Sequence, residues 1–328
     1  NNDTDFDFLT QGIEMYVDGD WVRAKGTTLG ADNGLGVAAI MAILESKDIP
    51  HPAIDALFTI DEETGMTGAL NLKGGILKGE ILLNLDTEED DEIDIGCAGG
   101  IDVTATRKYN EEETPEGSKG YTITVKGLNG GHSGMDIHKG LGNANKIMNR
   151  LLFDGFENFG LQVAEINGGS LRNAIPREAV ATIAIQAERF ADLEKALLVT
   201  QTEWQKKLEG IDDQIQITVQ QNTNQIDKVI ALPHQQVWLQ ALATCPYGIA
   251  EWSTALADVV ETSNNIGVVK LTKDEAKTLI MVRSMVNQEA VAFAQKIQQH
   301  FANFEIQSEL TPLVSGWTPN PDSAALKC

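Results

Sequence analysis

The sequence predicts a two-domain α/β protein, in which a central mixed, largely parallel sheet is joined to a second, α+β domain. Three observations carry that prediction. A chain of 328 residues with 42% hydrophobic composition can bury a sizeable core, and its length favours two domains over one. Through the first hundred residues, short apolar runs alternate with helical patterns, the rhythm of βαβ units. From about Ile101 the texture changes to alternating strands with polar helices between them.

The elements follow in order. Gly30-Ala31-Asp32-Asn33-Gly34 leads into residues 35–45, whose small and apolar side chains read as a buried helix with Asp32 or Asn33 near its start. Residues 56–60 read as a buried strand running into Asp61-Glu62-Glu63-Thr64-Gly65, and residues 81–85 as another ending at Asp86. In the second half, residues 121–125, 179–185 and 278–286 read as strands, and residues 143–153, 189–208 and 287–304 as helices. The chain turns at Gly316-Trp317-Thr318-Pro319, and residues 322–326 carry the cap-plus-apolar signature of a new helix. The acidic runs at 88–92 and 111–113 read as solvated loops.

Composition excludes several partner classes. A net charge of −23 repels nucleic-acid phosphates and anionic membrane surfaces, so neither partner is expected. The longest apolar or small stretch, residues 35–44, is half of the roughly 20 residues a membrane-spanning helix needs. The first residues lack the basic and apolar pattern of a signal peptide, so a cytoplasmic location is expected. Cys97, Cys245 and Cys328 are far apart and odd in number, which points to reduced structural thiols.

The chemistry-bearing residues are acidic. Asp32, the pair Glu62 and Glu63, and Asp86 each sit at a junction between a predicted element and a loop, and strand ends of an open α/β sheet are where ligands bind. Singly, Asp32 reads as a helix cap, Asp86 as a turn residue and Glu62-Glu63 as a solvated pair. Together they read as a metal site, because gathered like charges need a cation. Two zinc ions about 3.5–4 Å apart would take three carboxylates and a hydroxide, leaving a fourth carboxylate to accept a proton from water. If Glu62 and Glu63 are extended, they point opposite ways and divide these tasks.

Longer strings make the reading specific. Residues 26–34 (GTTLGADNG), 96–100 (GCAGG), 126–134 (KGLNGGHSG) and 170–178 (SLRNAIPRE) resemble the aminoacyl-histidine dipeptidase family, within the dinuclear zinc peptidases related to carboxypeptidase G and carnosinase. The resemblance implies a zinc-peptidase-like catalytic domain at residues 1–100, an inserted lid or dimerisation domain at 101–311, and a return to the catalytic domain at 312–328. It implies Asp32 as the carboxylate bridging two Zn²⁺ (Co²⁺ or Mn²⁺ as substitutes), with Glu63 and Asp86 as ligands and Glu62 as general base and acid. His132 matches an oxyanion-stabilising histidine of the second domain. Asn173 and Arg283 match substrate-contacting positions, with Arg283 suited to a carboxylate. Dipeptide hydrolysis with an Xaa-His preference and a homodimer are further implications. His51, His138, His234 and His300 read as surface or structural.

Two departures bear on these expectations. The family has a His-x-Asp segment upstream of Asp32 and a further ligand histidine near the far carboxyl end, and neither is present here. A longer parent protein is expected. The rival is a truncated form that binds metal weakly and hydrolyses little. Two other rivals are an N-acyl amino acid amidohydrolase using the same residues and a non-catalytic metal-binding or dimerisation protein.

Overall fold

The structure, a computed structural model, describes residues 5–87, 93–254, 256–323 and 326, apart from the side chains of Glu63 and Thr64. By contact density the chain divides into one unit of Asn1–Asp94 with Asp322–Cys328, and a second of Ile95–Pro321. The acidic run at 88–92 lies outside the described residues, as do Ala324 and Ala325 of the helix expected at 322–326.

In the first unit, β1 (Met15–Asp18) and β2 (Trp21–Ala24) form an antiparallel hairpin closed by Gly19-Asp20, with Gly19 at φ 63°. Helix α1 spans Ala31–Glu45, followed by the short α2 (Glu62–Gly65) and α3 (Thr67–Leu70). Asn33 Oδ1 accepts the Gly36 N–H at 3.0 Å, while Asp32 sits at φ −91°, ψ 110°, outside helical values. Asn33 is therefore the cap, and the carboxylate of Asp32 is not used for that purpose.

Two expectations for this unit are corrected. Helix α1 forms, yet Gly36 is its one buried residue among those described, so it is not a buried helix. Residues 56–60 and 81–85 join no ladder among the described residues, and Leu82 and Leu83 are 78% and 72% exposed. The physical reason is shared: an apolar strand is stable only where a neighbour pairs its backbone and a layer covers its faces. The strands described in this unit, β1 and β2, pair with each other. Local polar contacts hold the segments instead, with Asp55 Oδ2 accepting the Lys78 N–H at 2.7 Å and the Gly79 N–H at 3.2 Å.

The second unit contains β3 (Gly99–Lys108), β4 (Glu111–Glu113), β5 (Ser118–Lys126), β6 (Gly131–His132), α4 (Ala144–Phe159), β7 (Gln162–Gly168), β8 (Ala174–Ile175), β9 (Ala179–Gln186) and α5 (Phe190–Lys207). It continues with β10 (Gln216–Gln221), β11 (Lys228–Ile230), α6 (Leu232–Thr244), β12 (Gly248–Trp252), β13 (Val260–Thr272), β14 (Glu275–Ser284), α7 (Asn287–Ala302) and β15 (Gln307–Leu310). Among the described residues, nine strands form one antiparallel sheet in the order β10-β5-β9-β7-β13-β14-β3-β15, with β12 on the side of β13.

Alternation explains the packing. Cross-strand partners share a face, and the register runs Ile217, Val125, Ala179, Gly168, Val269, Thr278, Ala105 across seven strands, all buried. On that face α4 packs against β5, β7, β9 and β13, and α7 against β3, β14 and β15. Asn143 caps α4 by accepting the Lys146 N–H at 3.0 Å, and Gly160 at φ 69° ends it. The opposite face of β3 and β14 carries Gly100, Asp102, Met281 and Arg283.

One further expectation is corrected here. Residues 111–113 are not a solvated loop but β4, paired with β11. Glu113 faces Lys228 across the ladder, and Glu112 Oε1 accepts from Gln162 Nε2 at 2.8 Å, so the acidic run has partners on two sides.

Candidate functional site

Within the second unit, two loops and one strand bring predicted site residues together. Arg283 lies on β14 opposite Gly100 of β3, on the face away from the helices. Strand β6 carries His132 and pairs with β8, so that His132 faces Ala174. Beyond β6 the Ser133 N–H donates to the Asn173 carbonyl at 2.7 Å, which joins the His132 loop to the Asn173 loop. Buried Asn265 fixes the second loop from below, its Nδ2 donating to the carbonyls of Arg172 at 3.1 Å and Ala174 at 2.7 Å. The same loop runs so close to β13 that a Cβ at Gly267 would lie 2.5 Å from the Arg172 Cα. Only glycine fits there.

Arg283 is the centre of this cluster. Its Nε donates to Ser133 Oγ at 3.2 Å, and its Nη2 faces His132 Nε2 at 3.3 Å. A Cβ at Gly134 would stand 3.1 Å from Arg283 Cδ, so the glycine-rich loop lets the long side chain through. Burial lowers the pKa of the guanidinium, against the opposing pull of Cys97 and Asp102. It remains a cation and purely a donor.

The contacts of His132 impose a choice. Arg283 requires Nε2 to be the bare nitrogen, whereas the Met135 N–H, 3.2 Å from Nδ1, requires Nδ1 to be bare. A neutral imidazole carries one N–H, so it satisfies one of these donors at a time. The backbone is firmly set, with the His132 N–H donating to Asp136 Oδ2 at 2.7 Å. Lys139 first, then that N–H, hold the Asp136 carboxyl below its ordinary value.

Sequence reasoning missed three members. Asp102 on β3 makes an ion pair with Arg172, Oδ2 to Nη1 at 2.7 Å. Burial raises the Asp102 pKa, opposed chiefly by Arg172 and to a smaller extent by Arg283. Ser133, 2% exposed, holds Arg283. Arg172 and Ser133 stand inside motifs singled out above, next to Asn173 and His132, and a signal for them was available there. Asp102 had none, being a lone acid in an alternating strand. Asn173 is exposed, and it joins the cluster through its backbone carbonyl.

A cavity of about 470 Å³ lies between the loops at 129–131 and 167–180, lined by Asn129, Gly131, Ser170, Pro176, Arg177 and Val180 among others. Its lining does not include His132, Asn173 or Arg283. The cavity has polar residues of its own, Asn129, Ser170 and Arg177 among them, but the predicted site residues converge at the cluster around Arg283 and not there.

In the first unit, Asp32, Glu62 and Asp86 all lie at least partly open to solvent, and the Glu63 side chain lies outside the described residues. Glu62 and Glu63 stand on one helical turn, α2, rather than in the extended geometry expected for them. Asp86 donates its N–H to Asn84 Oδ1 at 3.1 Å, a turn contact. Among the described residues no three His, Cys, Asp or Glu side chains gather as a metal site would require. Zinc takes about three protein ligands, and of the three expected here only the side chains of Asp32 and Asp86 are among those described. That no three gather has the reason given for the strands: residues 56–60 and 81–85 are the rails meant to carry Glu62, Glu63 and Asp86, and no ladder among the described residues aligns them.

Comparison with known proteins adds an independent finding. A family model for the peptidase dimerisation domain matches residues 116–210. The chain is 39% identical over 327 residues to the cytosol non-specific dipeptidase of Escherichia coli (strain K12), covering 99% of this chain and 67% of that protein. The crystal structure of aminoacylhistidine dipeptidase from Vibrio alginolyticus matches at 42% identity with a TM-score of 0.82, covering 100% of this chain and 66% of that one. The chain thus spans about two thirds of the length of these relatives.

Proposed function

The chain belongs to the cytosol non-specific dipeptidase family, and from that premise we propose that the protein hydrolyses dipeptides, favouring histidine as the second residue. The observation that carries the proposal is a match running through 99% of the chain, with both halves included. A catalytic domain at residues 1–100 and 312–328, with a lid or dimerisation domain at 101–311, belongs to the same proposal. So does metal dependence, with two zinc ions, or cobalt or manganese, held by Asp32, Glu63 and Asp86.

The described carboxylates do not assemble such a centre, and the tasks of the individual side chains are separate from it. Glu62 takes a proton from the attacking water and returns it to the leaving amine. Arg283 is the fork for the substrate's terminal carboxylate, a planar donor pair suited to two oxygens. His132 stabilises the oxyanion through an Nε2–H. Arg283 faces that same Nε2, so the two tasks are coupled. When the guanidinium turns to a carboxylate, the Met135 N–H at Nδ1 selects the tautomer with hydrogen on Nε2. Asn173 is proposed as a further substrate contact.

A homodimer formed through the second domain is proposed from the description of the family model that covers residues 116–210. A cytoplasmic location is proposed from the relative's name. No described helix is long and apolar enough to cross a membrane.

The test is a comparison of turnover. The full-length protein should hydrolyse alanyl-histidine faster than N-acetyl-histidine, measured by release of free histidine. Faster release from the acetylated amino acid would favour amidohydrolysis by the same residues, and release from neither would reject both. Light scattering that gives only the monomer mass would reject the dimer.

A further inference from the structure

Across the ladder from Arg283 stands Gly100, which has no side chain, so the nearest acidic residue on that face of β3 is its diagonal neighbour Asp102. A carboxylate there is a built-in competitor for the guanidinium. Asp102 is 25% exposed in its side chain and fixed at both backbone groups, its N–H donating to Thr311 Oγ1 at 3.0 Å and its carbonyl accepting the Thr311 N–H at 3.1 Å. Its backbone cannot swing out of the way. What occupies it is Arg172, 31% exposed and 2.7 Å away, presented by the loop that Asn265 ties to β13. Arg283 meanwhile directs Nε to Ser133 and Nη2 to His132.

We infer that Arg172 is a positioning residue whose task is to engage Asp102 and so keep Arg283 available for the carboxylate of the substrate. This rests on the assignment of Arg283 to that carboxylate. The sign follows from the charges. Without Arg172, the cation still acting on Asp102 is Arg283, and Asp102 competes with the ligand for it. Removing Asp102 as well removes the competitor, and replacing both partners of a polar pair costs far less than orphaning one. A residue that merely held the loop together would show the reverse, with the second substitution adding to the damage of the first.

The experiment uses the full-length protein and an alanyl-histidine analogue whose peptide carbonyl is reduced to methylene, carrying either its terminal carboxylate or a carboxamide. Calorimetry gives the dissociation constant of each. Wild type should bind the carboxylate form more tightly, and equal binding of the two forms would overturn the inference outright. Arg172→Gln should weaken the carboxylate form by about tenfold relative to the carboxamide. Asp102→Asn added to Arg172→Gln should bring it back to within about threefold of wild type. Equal weakening of both forms by Arg172→Gln, or a double variant that binds no better than Arg172→Gln, would overturn it. If thermal melting shows Arg172→Gln unfolded, Asp102→Asn alone decides: it should bind the carboxylate form at least as tightly as wild type, and weaker binding rejects the inference. Failure of wild type to hydrolyse alanyl-histidine itself counts against the dipeptidase reading and leaves the binding comparison interpretable.

Discussion

Both units of this chain carry apolar segments that read as strands, and the outcomes are opposite. In the first, Leu82, Leu83 and Ile60 are exposed although their segments read as strands, while in the second Ile123, Val125 and Ile183 are fully buried in a sheet with helices across it. The difference lies in partners. Antiparallel strands of the second unit find their neighbours within the unit, so each apolar face meets a layer. Strands of a parallel sheet are buried on both faces and need flanking strands and helices on each side. A hydrophobic run therefore states what must be covered, and topology decides whether anything covers it.

Four measurements put this contrast at risk. The largest effect concerns the first unit as the seat of chemistry: Glu62→Ala in the full-length protein should lower kcat by about 10²–10⁴-fold with metal content unchanged, the range of one general acid-base group. Unchanged turnover would remove Glu62 from that role. Next, Ile123→Ala, at a site with 0% exposure, should cost about 2–5 kcal/mol in denaturant unfolding of the 328-residue chain. In the same chain Leu82→Ala, at 78% exposure, should stay within about 0.5 kcal/mol. A large loss at Leu82 would mean that the first unit is covered, and the contrast between the units would fall.

The smallest effect is electrostatic. Asp136 has its pKa lowered from 3.8 in the folded protein, chiefly by Lys139 and by the His132 N–H. A depressed carboxylate contributes stability above its unfolded pKa and loses it as pH falls through the folded value. Asp136→Asn should therefore be slightly destabilising at neutral pH, with the difference from wild type shrinking below about pH 4. A gap of constant size between about pH 7 and about pH 3 would show that the hydrogen bonds, and not the charge, are what Asp136 supplies.

Legibility from sequence tracks the same divide. Helices α4, α5 and α7 are read at residues 143–153, 189–208 and 287–304, and each forms where expected to within a few residues, except that α4 runs on to Phe159. Strand β5 alternates clearly because one face is buried and the other is not, whereas β9 loses the alternation at Ile183, Ala184 and Ile185, which are all buried. The carboxylates Asp32, Glu63 and Asp86 are readable as a chemical set, but their convergence depends on strand alignment that the described residues do not make. The acidic β4 is illegible, since its strand character comes from pairing with residues more than a hundred positions away. At the candidate site, His132 and Arg283 are brought within 3.3 Å as members of one cluster, although nothing in their local sequence says that they meet. Asp102 is invisible for the same reason: its importance lies in its diagonal relation to Arg283 on the neighbouring strand.

The order of the large sheet also bears on how the chain is made. Strand β3 is among the first of the second unit to leave the ribosome, yet its ladder neighbours β14 and β15 are among the last, with Asp102 and Thr311 separated by 209 positions. At translation rates of about 5–20 residues per second, the nascent β3 waits roughly 10–40 s for either edge to be matched. During that interval Ile101 and Val103 are apolar surface on an unpaired strand, open to chaperones and to other nascent chains alike.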